Sequence, residues 1–438
     1  MSGTIVAPAT PSGRGGIGII RVSGKMALEL GVSVCGKHLK PRILTNCNIL
    51  NSNSVVVDSG LAVYFKGPES YTGEDVVEVH CHGSPVLMDA ILESFISLGA
   101  RLALPGEFTE RAYMNNKLDL AQAESVADLI SAESSEAAKA ALSSLKGEFS
   151  SAINSVIDNI VSVRLHVEAN LDFPDEELGE TFSQDVIELL QKTRNDISGL
   201  IVSSKSGAVL REGAKVAIVG PPNSGKSTLV NALSGEDLSI VSDIPGTTRD
   251  PIRTKINLSG FILEIVDTAG LRKLPQNPVE EEGIRRTKKE LLDSNVVLHA
   301  CAADSESSNK RKFDENTIEL VTKCDLDKRG RVGFVDGVLY VSAKEGLGLN
   351  ELKGLLLKKL GVTNSSQIPI LARRRHLTCL EFSLASIDLS LDLIRRAAGL
   401  ELVSESLKDA QVKLGEITRP ISADELLGEI FSSFCIGK

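Results

Sequence analysis

No apolar run in this 438-residue chain approaches the roughly 20 residues needed to cross a bilayer. The opening, MSGTIVAPATPSGRGG, lacks a basic segment followed by a long apolar one, so no secretory leader is read there. The expectation is a cytoplasmic protein with no membrane association. Paired cysteines are missing as well. The seven cysteines are scattered, odd in number and without a C-x-x-C pair, which argues against a disulfide framework or zinc ribbon and fits reduced thiols. A basic surplus is also lacking. The formal net charge of -10 argues against a general affinity for phosphate backbones, which is mostly counterion release by clustered Lys and Arg. Any RNA partner must therefore be held by a local patch or by a second protein. The one dense basic cluster, Arg373, Arg374, Arg375 and His376, opens a helical stretch and reads as a solvated helix start. There is no internal repeat and no low-complexity tract, and 305–312 reads as a surface loop.

What is present is enough apolar sequence, 42% of residues, for large cores, and a length that suggests two to four domains. Residues 1–117 mix short β-type runs (17–22, 55–65, 75–80) with turn clusters and one helix near 85–97, an α+β domain. From Leu118 the texture becomes rich in Ala, Ser and Glu. Leu142, Leu145, Phe149, Ile153, Val156, Ile157 and Ile160 keep three- and four-residue spacing, which predicts one face of a single long helix. The helical pattern pauses at 171–176 and resumes over about 182–209. Strands and helices alternate from 215 to 360, and amphipathic helix returns from about 373 to 434. Neither flanking helical piece looks able to bury its apolar face alone. The simplest organisation is an all-α bundle, 118–208 with 366–438, interrupted by an inserted α/β domain at 209–365.

The inserted domain carries the chemistry. A buried-strand pattern at 215–219 runs directly into Gly220-Pro221-Pro222-Asn223-Ser224-Gly225-Lys226-Ser227 and then into helical sequence from Thr228. This is G-x-x-x-x-G-K-[ST] between a strand and a helix. Backbone N–H groups from Asn223 to Thr228 can wrap phosphates, Lys226 can reach the terminal phosphates and Ser227 can ligate Mg²⁺. A second strand, 261–266, ends in Asp267-Thr268-Ala269-Gly270, where an acidic residue suits Mg²⁺ through water and Gly270 lets its N–H approach a γ-phosphate. Thr322-Lys323-Cys324-Asp325 and Ser342-Ala343-Lys344 each follow a short apolar run. They resemble the guanine-specificity motifs of translation-factor-type GTPases. The resemblance makes Asp325 the acceptor of the guanine ring N–H and amine, a donor pair that adenine lacks. Thr322 stands where that pattern has Asn, so one amide contact is expected to be shortened or lost.

Leu271 follows the second motif where Ras-like enzymes place a water-orienting Gln, so another group must do that work. Between the two motifs lies Ser242-Asp243-Ile244-Pro245-Gly246-Thr247-Thr248-Arg249-Asp250, in which Thr248 is the natural second Mg²⁺ ligand. Asn223 together with this loop resembles the potassium-dependent GTPases. That resemblance implies K⁺ held by Asn223, the carbonyls of Ser242 and Ile244, and Thr247, with Arg249 a structural loop residue rather than an arginine finger.

Taken over nearly its full length, the chain resembles the MnmE (TrmE) family of tRNA-modification GTPases. The match runs from Thr4-Ile5-Val6-Ala7 and Gly13-Arg14-Gly15-Gly16-Ile17-Gly18, through Leu118-Asp119-Leu120-Ala121-Gln122-Ala123-Glu124, to Phe434-Cys435-Ile436-Gly437-Lys438. The resemblance implies an enzyme that hydrolyses GTP and acts with the flavoprotein MnmG (GidA), in a heterotetramer or larger complex. It implies a carboxymethylaminomethyl or aminomethyl group built on carbon 5 of the wobble uridine of certain tRNAs. It further implies a one-carbon unit from 5-formyltetrahydrofolate or 5,10-methylenetetrahydrofolate bound in the N-terminal domain, a homodimer through those domains, and G domains that meet during hydrolysis. Folate contacts carried over are Arg21, Glu78, Lys117 and Lys438; the catalytic, water-orienting residue is Glu280, with Glu281 as the alternative. Cys435 is open between a chemical role beside the folate carbon and a small apolar packing role.

Two patterns are decoys. Gly13 to Gly18 fits G-x-G-x-x-G, but a β-type run follows it instead of a helix. His80-Cys81-His82 resembles a metal cluster, yet neighbours on a strand point to opposite faces. The rival functions are an Era- or Der-like ribosome-assembly switch and a GTP-binding scaffold with negligible turnover.

Overall fold

The computed structural model describes residues 3–172, 184–234, 253–267, 291–303, 316–362, 368–396, 399–419, 430–432, 434 and 437, and for Arg253 and Asp267 the backbone only. The chain divides into two compact units. One comprises residues 1–127, 145–154 and 414–438, and the other residues 128–144 and 155–413.

The first unit is built on a six-stranded sheet of order β3-β4-β5-β2-β1-β6, with β1 Ile5–Pro8, β2 Gly15–Ser23, β3 Thr45–Leu50, β4 Val56–Phe65, β5 Val76–Gly83 and β6 Arg101–Leu102. The decoy glycines thus begin a strand. Period-two alternation sends Ile20 and Val22 of β2 and Val77, Val79 and Cys81 of β5 into a core closed by α1 (Ala27–Cys35) and α2 (Pro85–Ser97). The opposite face receives Phe108 from α3 (Glu107–Met114), packed with Ile5, Ala7, Ala103 and Tyr71. At the turn before α3, Gly106 has φ +70°, and a Cβ there would lie 2.5 Å from the Phe431 carbonyl. That close approach lets Phe431 and Phe434 bury against Leu120 and Ala123 of α4 (Leu120–Ser131).

Helix α3 also carries a buried polar network. Arg111 donates to Glu107 Oε1 at 2.9 Å, to Glu74 Oε2 at 2.8 Å and to the Gly3 carbonyl at 3.0 Å. Glu107, fully buried, also accepts from Arg101 and from the Leu104 N–H. Burial would raise the Glu107 carboxyl, but the hydrogen bonds from Arg101, Leu104 and Arg111 outweigh it and hold the group below its ordinary range.

The long helix expected across 142–160 is two helices. α5 (Ser135–Leu145) ends before Gly147, whose φ is +86°, and α6 (Glu148–Asp172) starts at the next residue. Gln122 Nε2 donates to the last carbonyl of α5, Leu145, at 3.1 Å, satisfying a group that an uninterrupted helix would have bonded internally. The apolar stripe is real from Phe149 through Ile153, Val156 and Ile160 and runs on to Val163 and Val167, all buried, whereas Leu142 is exposed.

In the second unit, α7 (Gln184–Glu212) packs along α10 (Arg374–Arg395), with a charged bridge from Arg194 to Asp388 at 2.5 Å. α10 presents Ser383, Ser386 and Ser390, each bonded to the carbonyl four residues earlier, and their small size lets α11 (Leu400–Thr418) come close. Ser406 of α11 donates to the Ser386 carbonyl at 2.8 Å. Asp128 receives Arg373 at 3.1 Å and faces Arg211 at 3.9 Å. At Gly207 the helix is crossed so closely by the chain at Ile370 that a Cβ would sit 1.7 Å from the Ile370 carbonyl. Gly207→Ala is therefore expected to lower stability by about 1–3 kcal/mol or more through forced backbone displacement, read as a fall in the urea midpoint.

The same unit holds the seven-stranded sheet β12-β13-β11-β10-β7-β9-β8. Its strands are β7 Ala214–Val219, β8 Arg253–Leu258, β9 Phe261–Asp267, β10 Val296–Ala302, β11 Thr317–Thr322, β12 Gly333–Val335 and β13 Val338–Tyr340. Only the β8/β9 and β12/β13 pairs are antiparallel. Helices α8 (Lys226–Ser234) and α9 (Leu349–Lys359) help bury its faces. The chain leaves β7 toward β9 on one side and β10 on the other, so a crevice opens at the carboxyl end of β7.

Candidate functional site

The crevice is lined by the loop after β7. Gly220 abuts β10, and a Cβ there would lie 2.0 Å from the Ala300 carbonyl. Asn223 takes a left-handed conformation, φ 62°, and Gly225 follows with φ +79° before α8 begins at Lys226. This turn leaves the first N–H groups of α8 facing the loop, where they and the helix dipole favour an anion. Lys226 is buried. Its Nζ donates to the carbonyls of Pro221 at 2.8 Å and Gly220 at 3.2 Å, which places the ammonium in the middle of the loop. Ser227 and Thr228 are exposed on the first turn. The register opposes Ile218 on β7 to Asp267 on β9, so the two strand ends lie side by side.

The two segments that resemble guanine-specificity motifs also meet. Ser342 donates through Oγ to Asp325 Oδ1 at 2.5 Å, and the Glu345 N–H donates back to Ser342 Oγ at 3.3 Å. The Cys324 N–H donates to the Val341 carbonyl at 3.1 Å, and Lys323 turns the chain with φ 54°. Lys344 is exposed and Ala343 half-buried. Thr322, read from sequence as a shortened contact, has a structural task of its own. Its buried hydroxyl donates to the Ser224 carbonyl at 2.6 Å, with the Cys301 carbonyl also in reach at 3.1 Å, and so ties β11 to the phosphate loop. A one-proton donor can do this as well as an amide, a point that motif matching alone does not reveal.

A second constellation lies in the first unit. Arg21 and Glu78 are direct partners in the β2/β5 register and bond through Arg21 Nε to Glu78 Oε1 at 2.8 Å. The Arg21 guanidinium lies 5.5 Å from the Tyr71 ring centroid and 5.8 Å from that of Phe108. Burial pushes the Tyr71 phenol up, and its hydroxyl pairs with Thr109 at 2.8 Å. Gly437 reaches this place: its carbonyl accepts from Arg21 Nη1 at 3.4 Å, and a Cβ on it would lie 1.9 Å from the Pro8 carbonyl. The nearness of Tyr71 and Phe108 to Arg21 was not legible in the sequence, since isolated aromatics carry no spacing signal. Lys117 Nζ is held by the Pro68 carbonyl at 2.9 Å and lines a cavity of about 420 Å³ with Asp119, Gln122 and Arg419. Ser242, Asp243, Ile244, Pro245, Gly246, Thr247, Thr248, Thr268, Ala269, Gly270, Glu280, Glu281, Cys435 and Lys438 lie outside the described residues, as does the side chain of Asp267. Among the described residues no cluster of His, Cys, Asp and Glu has metal-holding geometry, and no helix is long and apolar enough to cross a membrane.

A family profile described as "MnmE helical domain" matches residues 120–435, and one described as "GTP-binding protein TrmE N-terminus" matches residues 4–117. The "tRNA modification GTPase MnmE" of Neisseria meningitidis serogroup A is 44% identical over 445 residues, covering 99% of this chain and 99% of that one. The protein of that name from Francisella tularensis subsp. holarctica is 42% identical over 451 residues, with the same coverage of both chains. Among solved structures, the G domain of the T. maritima FeoB iron transporter aligns with 33% of this chain and 98% of its own at 24% identity and a TM-score of 0.25, too slight a likeness to carry weight. Identity of this order along the whole length leaves one assignment: the chain belongs to the MnmE (TrmE) family of tRNA modification GTPases.

Proposed function

We propose that this protein hydrolyses GTP at the β7 crevice and uses that hydrolysis to drive a tRNA modification carried out elsewhere in the chain. In this reading it works in the cytoplasm as a homodimer with the flavoprotein MnmG. Together they install a carboxymethylaminomethyl or aminomethyl group at carbon 5 of the wobble uridine. The observation that carries the reading is the coexistence of two constellations in one chain: a phosphate loop knit to a guanine-type acceptor, and a separate Arg21–Glu78 pair met by the Gly437 segment.

At the nucleotide site, Lys226 exchanges its loop carbonyls for phosphate oxygens, and Asp325, oriented by Ser342, accepts from guanine. Ser227 and Thr248 are the side chains that would hold Mg²⁺; Asn223, Ser242, Ile244 and Thr247 would hold K⁺, and Glu280 would orient the water. Bound cations there supply positive charge against the charge that develops on the transferring phosphoryl group. In the first unit, Glu78 suits the N–H groups of a pterin, while Arg21, Lys117 and Lys438 suit its carbonyl and glutamyl oxygens. A tetrahydrofolate bound there would supply the one-carbon unit; the chain's own part is to orient it and exclude water, with the aromatic walls of Tyr71 and Phe108.

Calorimetry with 5-formyltetrahydrofolate tests the folate half of the reading. Binding is expected in the wild type, and Arg21→Ala should weaken it by about tenfold or more, the worth of one charged hydrogen bond. Absence of binding to the intact protein would remove this half. Replacing Na⁺ by K⁺ should raise the hydrolysis rate, and Asn223→Ala should abolish that response; a K⁺-indifferent rate would sink the cation role.

A further inference from the structure

On β5 the side chains of Glu78, His80 and His82 share one face of the sheet, opposite the core residues Val77, Val79 and Cys81. The register sets Glu78 between Arg21 of β2 and Val63 of β4, and His80 between Ile19 and Leu61. His82 is accounted for: Asp58 takes its Nδ1 at 2.8 Å and its backbone N–H at 2.8 Å. His80 is not. Its Nε2 is buried and has no hydrogen-bond partner among the described residues, and it stands 3.9 Å from Glu78 Oε2. Glu78 Oε1 is taken by Arg21, which leaves Oε2 as the oxygen turned toward His80. A buried nitrogen without a partner costs about 1–3 kcal/mol, so its position calls for a physical reason.

The separation itself suggests one. At 3.9 Å the two atoms are too far apart to bond to each other, yet a single atom can lie within about 2.9 Å of both. A carboxylate oxygen only accepts, and a neutral imidazole nitrogen without its proton also accepts. A group that satisfies both at once must have two hydrogens to donate; in a ligand, a nitrogen bearing two N–H bonds does so, as in the exocyclic amine of a 2-amino-4-oxo heteroaromatic ring. We infer that His80 is a specificity-determining contact of the candidate folate site, with Glu78 Oε2 and His80 Nε2 each accepting one N–H of the pterin 2-amino group. This rests on the reading that Arg21 and Glu78 bind tetrahydrofolate. It adds that the site selects for the amine, through a residue that the sequence offers only within a rejected metal-like pattern.

The test is a cycle of two ligands and three proteins, followed by calorimetry: 5-formyltetrahydrofolate and its 2-desamino-2-methyl analogue against wild type, His80→Ala and His80→Gln. Wild type should prefer the amino ligand by at least about tenfold, two acceptors being left unmatched by the analogue. His80→Ala should cut that preference by about tenfold while changing affinity for the desamino ligand by no more than about twofold. His80→Gln, which offers a carbonyl acceptor, should recover part of the preference and guards against a folding defect in the alanine variant. Undiminished preference in both His80 variants, or an equal loss for both ligands, overturns the inference and leaves the folate reading standing. No binding of 5-formyltetrahydrofolate to wild type overturns the folate reading itself, and this inference with it.

Discussion

Asp325→Asn should weaken GDP binding by about 100-fold and raise affinity for the xanthine nucleotide. Ser342 already donates to Asp325 Oδ1 at 2.5 Å, which fixes the plane of the carboxylate and, in the proposed role, leaves its remaining acceptor capacity for the base. Guanine presents two donors, the ring N–H and the exocyclic amine. Asparagine keeps one acceptor and replaces the other with an N–H pair, so one charge-assisted bond is lost and a donor faces a donor. Each such bond is worth about 1.5–3 kcal/mol, and a loss of about 2.7 kcal/mol is about 100-fold. Xanthine carries a carbonyl in place of the amine and can accept from the new amide. Ser342 can donate to the amide oxygen as it did to the carboxylate, so the fold should keep its melting temperature. Fluorescence titration with GDP and xanthosine diphosphate reads both arms, and an unchanged GDP affinity would contradict the role given to Asp325.

Much of this arrangement was legible in the sequence because local chemistry dictates it. The strand-loop-helix frame of the crevice follows from a buried run that meets Gly220, where an added Cβ would collide with Ala300, and from the left-handed glycine at 225 just before α8. Helix α2 starts after Ser84 with Pro85 in its first turn, a position where proline loses no hydrogen bond. Periodicity was blind where a break preserved the spacing: Gly147 interrupts 142–160 without disturbing the count of apolar residues, and only the positive φ and the Gln122 cap on Leu145 reveal two helices. Long-range pairings were hidden for another reason. Arg21 and Glu78 could be proposed by resemblance, but their register, their aromatic walls and the arrival of Gly437 depend on contacts between residues far apart in sequence. The same holds for Thr322, whose side chain looked deficient until its acceptor on the phosphate loop was seen.

The buried network of α3 gives the other large expected effect. Arg111→Met should destabilise the first unit by about 3–5 kcal/mol at neutral pH, because it deprives the buried Glu107 carboxylate of one of its partners and leaves Glu74 without its charged partner, with the Ser23 hydroxyl still bonded to it. The sign of the pH dependence separates this cause from simple loss of packing. In the wild type the Glu107 pKa is lowered, so its contribution is present above the unfolded value of about 4.3 and is lost as pH falls through the lower folded value. In the variant a lowering partner is gone while burial, which raises the pKa, remains. The folded-state value therefore rises, and protonation relieves the buried charge at a higher pH than before. The stability gap between variant and wild type should be widest near pH 7 and narrow toward pH 4, read as urea midpoints across that window. GDP affinity, assigned in the proposed function to the other unit, should be unchanged and reports that the crevice is intact. A gap of equal size at both ends of the window would mean that Arg111 acts through its packing alone, with Glu107 indifferent to its guanidinium.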